Sequence, residues 1–154
     1  MRYWPRSRRT GKRSERPRAL EILRVVVDTN VLVSAFIGHG KPRRLVLELL
    51  DRHEVVTSPQ MLAELIDVLS REKFAETDKQ QAKSFLSILA RKVSMVAPKQ
   101  SFRAVPEDPD DDVVLSTAHE GRASHIVSGD RHLLNLGRFR GIRIVSVDEM
   151  LGLL

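Results

Sequence analysis

The sequence predicts an α/β fold built on a parallel sheet, and two observations carry the prediction. Short β-branched runs such as Val25-Val26-Val27 are apolar at every position. That is the pattern of strands buried on both faces rather than half-exposed ones. These runs alternate with longer segments whose apolar residues recur at helical spacing. Such alternation predicts one domain with right-handed crossovers.

In chain order, residues 1–21 read as a disordered arm, with Pro5, Gly11 and Pro17 breaking a dense run of arginine. Residues 22–154 form the folded domain. Its first strand spans residues 24–28 and ends on Asp28. Residues 29–37 are helical, with Gly38 and Gly40 as stops. Pro42 opens a second helix with Leu45, Val46, Leu49 and Leu50 on one stripe. Residues 54–57 make a second strand. Ser58-Pro59 starts a helix carrying Leu62, Leu65, Ile66 and Leu69. A further helix spans residues 78–91, a third strand 93–97, and a loop 101–110. The next helix ends at Gly121. A fourth strand at 126–127, a short helix at 130–136, a fifth strand at 142–145 and a helix from Asp148 complete the chain.

Charge and composition exclude several functions. Residues 1–21 hold eight basic side chains against two acids, which accounts for the whole formal charge of +6. The remaining domain is balanced, so bulk charge does not mark it as a nucleic-acid binder. The arm, with Arg6, Arg8, Arg9, Lys12 and Arg13, is expected to bind RNA non-specifically and in a salt-dependent way. There is no cysteine, hence no disulfide, thiol nucleophile or Cys-ligated zinc. No apolar run reaches the ~18 residues of a membrane span, and no apolar segment follows the basic start, so a cytoplasmic protein without membrane contact is expected. Tyr3 and Trp4 both lie in the arm, which leaves little for a base-stacking surface.

The informative residues are acids. In open α/β sheets ligands bind at the carboxyl ends of the strands, and Asp28 and Asp130 each follow a strand. Each also reads as the N-cap of the helix that follows. Asp108 before Pro109 reads as a cap, and Asp110 and Asp111 suit a helix dipole. Glu64 by its spacing is a surface glutamate. Yet the consecutive Asp110, Asp111 and Asp112 repel one another, and a hard divalent cation such as Mg²⁺ or Mn²⁺ supplies the missing charge. The five histidines show no paired ligand spacing, although His132 lies two residues past Asp130. No nucleophile elbow, Walker A loop or dinucleotide fingerprint is present.

Four segments resemble, in order, the motifs of PIN domains, and the nearest subgroup is that of VapC-like toxins. They are Val25 through Ser34, Ser58-Pro59 through Leu65, Asp108 through Leu115 with Ala118, and Ile126 through Asp130. The resemblance implies a three-layer α/β/α fold with a central parallel sheet of about five short strands. It implies an Mg²⁺- or Mn²⁺-dependent ribonuclease that hydrolyses RNA with an activated water, as the toxin of a toxin–antitoxin pair. Carried over, Asp28, Glu64, Asp112 and Asp130 are the catalytic and metal-binding acids, with Asp112 taken because it precedes Leu115 by three residues. Thr29, Asn30, Ser128, Asp110 and Asp111 support them. RNA, a cognate antitoxin and a second copy of the chain are the implied partners.

Two other readings compete. A haloacid-dehalogenase-like phosphatase needs a second aspartate two residues after the first, where this chain has Asn30. A PIN-like protein that binds RNA or an antitoxin without turnover needs no complete acidic set, and all four acids are present.

Overall fold

The computed structural model describes residues 21–71, 76–99, 102 and 109–154. The arm, apart from Glu21, and most of the loop before residue 109, Asp108 included, lie outside the described residues. The elements are β1 (Arg24–Val27), α1 (Thr29–Ile37), α2 (Lys41–Arg52), β2 (Glu54–Thr57), α3 (Pro59–Arg71), α4 (Glu76–Lys92), β3 (Ser94–Met95), α5 (Pro109–Glu120), β4 (His125–Val127), α6 (Arg131–Leu136), β5 (Arg138–Phe139), β6 (Ile142–Val145) and α7 (Val147–Leu153).

The sheet runs β3-β2-β1-β4-β6-β5. All neighbours are parallel except β5, which pairs antiparallel with β6. The sequence predicted five strands, and β5 is the sixth. It has only two residues and no apolar run, so hydrophobic pattern could not reveal it. Its signal was the turn: Arg140 and Gly141 both take positive φ, at 47° and 82°. Two such residues close a tight hairpin whose twist matches the strands. The third strand is shorter than expected, because only Ser94 and Met95 pair with β2.

Alternation along the strands builds two cores. Val25, Val27, Val55, Val127 and Val145 face one side, where Val31, Leu32, Leu45, Leu49, Leu65, Leu89 and Met150 cover them from α1, α2, α3, α4 and α7. Val26, Val56, Ile126 and Ile144 face the other side, under Leu115 and Ala118 of α5 and Leu133 of α6. Both faces are dry, which is why the strands are apolar at consecutive positions. The result is the expected three-layer arrangement.

Packing at the amino-terminal edge of the sheet is close. A Cβ on Gly121, just past α5, would sit 2.5 Å from Val56 Cγ1. The Arg24 guanidinium donates to the Gly121 carbonyl at 2.7 Å and to Glu54 at 2.5 Å. Glycine therefore does more here than stop a helix; it lets α5 descend onto β2.

Candidate metal centre

β1 has β2 on one side and β4 on the other. The chain leaves β1 in one direction and later returns on the opposite side, which opens a crevice at the carboxyl ends of these two central strands. Asp28 follows β1 directly, and Ser128-Gly129-Asp130 follows β4. The crevice thus brings together two residues a hundred positions apart.

Asp28 is buried. Its carboxylate accepts from Thr29 N at 2.8 Å and from Ser128 Oγ at 2.6 Å. Ser128, fully buried, in turn accepts from Asp130 N at 2.9 Å. One hydroxyl therefore fixes both strand-end acids relative to each other. Asp130 accepts from His132 N and Leu133 N, at 2.7 and 3.3 Å. Both aspartates are N-caps, so the structural role and the place in the crevice coincide in the same side chains. Glu64, exposed on α3, accepts from Thr29 Oγ1 at 3.5 Å, which ties it to the Asp28 loop. Asn30 is exposed at the mouth, its amide nitrogen 3.9 Å from where a Gly129 Cβ would sit.

From α5, Asp111 lies close to Asp130. Among the described residues, Asp111, Asp130 and His132 form a group whose ligand atoms all lie within 4.8 Å of one another. These donors suit a divalent cation, since carboxylate oxygens and an imidazole nitrogen are its common ligands. Asp112, the residue the sequence pointed to, is occupied otherwise: both its carboxylate oxygens accept from Phe102 N, at 3.0 and 3.2 Å. This contact ties α5 to Phe102. Asp110's side chain lies outside the described residues.

A helical wheel separates the two. At about 100° per residue, Asp111 lies within about 40° of both Leu115 and Ala118. Those two residues press α5 onto the sheet. Asp112 is about 60° from Leu115 and about 120° from Ala118. Alignment with both anchors favours Asp111, whereas spacing to Leu115 alone pointed to Asp112. His132, noted in the sequence only for lying two residues past Asp130, joins the group here; an exposed histidine in a short helix carries no periodic signal that would have placed it.

Beyond Asp130 the charge reverses. Residues 131–147 contain Arg131, Arg138, Arg140 and Arg143 and no acid. Arg131, Arg138 and Arg140 are exposed. Arg140 stacks 4.4 Å from the centre of the Phe102 ring, a cation–π contact that holds it on the surface of the hairpin. The balanced charge of the domain thus conceals an acidic crevice at the carboxyl ends of the strands and, at the opposite edge of the sheet, a hairpin turn bearing Arg140.

A family model described as PIN domain matches residues 24–132. The chain is 32% identical over 120 residues to uncharacterized protein MJ1680 of Methanocaldococcus jannaschii, covering 74% of this chain and 75% of that protein. Among solved structures, it is similar to a chain of VapBC2 from Rickettsia felis bound to a DNA fragment from its promoter, with a TM-score of 0.60 and 19% identity over 80% of this chain and 98% of that one. It is also similar to a chain of FitAB bound to the IR36 DNA fragment, with a TM-score of 0.50 and 15% identity over 80% of this chain and 94% of that one. At these identities the two structural likenesses are likenesses of fold.

Proposed function

The chain belongs to the PIN domain family, and on that premise we propose that it is a divalent-metal-dependent ribonuclease, the toxin of a toxin–antitoxin pair. The observation that carries the reading is the meeting of Asp111 with Asp130, which Ser128 locks to Asp28, at the crevice of the sheet. Asp28, Glu64, Asp111 and Asp130 are the proposed catalytic acids, with Asp111 in the place expected for Asp112.

Asp111 and Asp130 would hold the cation, and Asp28 and Glu64 would complete the negative field around it. When bound, Mg²⁺ or Mn²⁺ supplies a Lewis acid for the phosphate and lowers the pKa of water. The chain supplies geometry. Ser128 donates to the Asp28 carboxylate and accepts from the Asp130 backbone amide, and Thr29 steadies Asp28 through its amide and Glu64 through its hydroxyl. A carboxylate of this set accepts the proton of the attacking water. Arg131, exposed directly after Asp130, binds the backbone of the polyanion, as phosphate contacts do without reading sequence. The Arg-rich arm adds to the same electrostatic term.

The toxin reading is supported by the neighbours VapBC2 and FitAB, which are toxin–antitoxin complexes. It implies an antitoxin partner and a homodimer, which a light-scattering mass of twice 17.5 kDa checks.

The deciding experiment is cleavage of end-labelled single-stranded RNA with Mn²⁺ or Mg²⁺, with and without chelator. Cleavage that needs the cation and is lost in Asp111→Asn is the expected result. RNA retained on the protein but never cut, under any cation, favours a binding protein instead.

A further inference from the structure

His132 sits in the first turn of α6, and its backbone N–H, not its ring, serves the Asp130 cap at 2.7 Å. The ring is free of that structural duty. It is about half exposed, yet Nδ1 lies 3.9 Å from Asp130 Oδ1, back toward the crevice. An exposed histidine with no task has water on all sides to turn to. This one lies with Asp111 and Asp130, the ligand atoms of all three within 4.8 Å. Donors about 2.0–2.2 Å from one cation stand about 3–4.2 Å apart, so a small closing movement brings all three onto the same ion.

The geometry points to His132 as a nitrogen ligand that makes this a mixed nitrogen–oxygen centre, selective for a first-row transition cation over Mg²⁺. The inference rests on the metal reading above and adds its selectivity. Carboxylates alone suit Mg²⁺ and Mn²⁺, whereas an imidazole adds affinity that rises from Mn²⁺ through Co²⁺ and Ni²⁺. Mg²⁺ dehydrates reluctantly and gains little from a nitrogen donor.

The test uses full-length, tag-free protein and two readouts other than activity. Pulsed electron paramagnetic resonance on the Mn²⁺-loaded protein should show ¹⁴N modulation, absent in His132→Ala. Calorimetry should show that His132→Ala weakens Co²⁺ binding about tenfold or more while Mg²⁺ binding changes by less than about twofold. His132→Asp should bind Mg²⁺ at least as well as wild type and show no nitrogen modulation. Circular dichroism confirms that both variants are folded. Bound Mn²⁺ without nitrogen modulation, or Co²⁺ and Mg²⁺ affinities that fall equally, overturns the role of His132 and leaves the carboxylate centre standing. Wild-type protein that binds none of these cations overturns both.

Discussion

The two ends of the same sheet treat charge in opposite ways. At the amino-terminal edge Arg24 and Glu54 face each other at 2.5 Å, and Ser94 donates a hydroxyl to the same carboxylate. The Ser94 hydroxyl first, and then the Arg24 guanidinium, hold Glu54 below the usual carboxylate range. Nearby, Leu23 N donates to His53 Nδ1 at 3.0 Å, and burial pushes the His53 imidazole below its ordinary value. Each titratable group there sits beside a group that suits its ionisation state. At the carboxyl-terminal edge, Asp28, Asp111 and Asp130 gather instead, and the contacts that orient Asp28 and Asp130 come from neutral hydroxyl and amide donors. Acids brought together in this way favour a cation among them. The first end serves the fold, and the second is the proposed place of a cation and a phosphate.

Substitutions sharpen that contrast. The largest effect is expected at Asp111. Asp111→Asn should lower RNA cleavage by at least about 100-fold. With chelator present its melting temperature should equal or exceed that of wild type, because one of several like charges is gone. Added Mn²⁺ should stabilise wild type by mass action and the variant far less. An Asp111→Asn protein that melts lower in chelator and responds normally to Mn²⁺ breaks the comparison. Ser128→Ala comes next. It removes the hydroxyl between Asp28 and Asp130, and cleavage should fall about 10–100-fold, as for other groups that orient ligands, read by kcat on a labelled oligonucleotide.

At the stabilising end the order of effects inverts. Gly121→Ala pushes a methyl into Val56 and should cost about 1–3 kcal/mol in denaturant unfolding, with cleavage intact below the melting transition. Asp112→Ala should cost about 1.5–3 kcal/mol, since Phe102 N loses a charged acceptor, while the gain on adding Mn²⁺ persists. An Asp112→Ala protein that loses the Mn²⁺ response would return the ligand to the position first expected.

The smallest effect is that of pH. His53 binds its proton less tightly in the folded state, so the unfolded chain takes up more protons between the lowered folded value and about 6.5. Its contribution is complete above that range and is lost as pH falls through it. The denaturant midpoint should therefore drop on acidification below about pH 6.5, and the slope should shrink in His53→Ala.

Much of this was readable in the chain, and the failures share a cause. The apolar runs of β1, β2, β4 and β6 declare themselves because both faces of each strand are buried. Asp28 and Asp130 are found by reading one to three residues past a strand. β5 escaped because two residues carry no period. The choice between Asp111 and Asp112 lay beyond the sequence because neighbours on a helix differ only in direction.

Local sequence alone therefore determined the alternation of strands and helices, the placing of Asp28 and Asp130 just beyond two strand ends, and the helix caps these two residues make. These follow from backbone preferences and side-chain period within a few residues. Tertiary structure decided which strands became neighbours, and so that Asp28 and Asp130 share one hydroxyl across a hundred residues. It also decided the roll of α5, because Leu115 and Ala118 must face Val26 and Ile126. That packing, summed over the whole apolar face, outweighs the preference of any single carboxylate, and it turns Asp111 into the crevice and Asp112 toward Phe102.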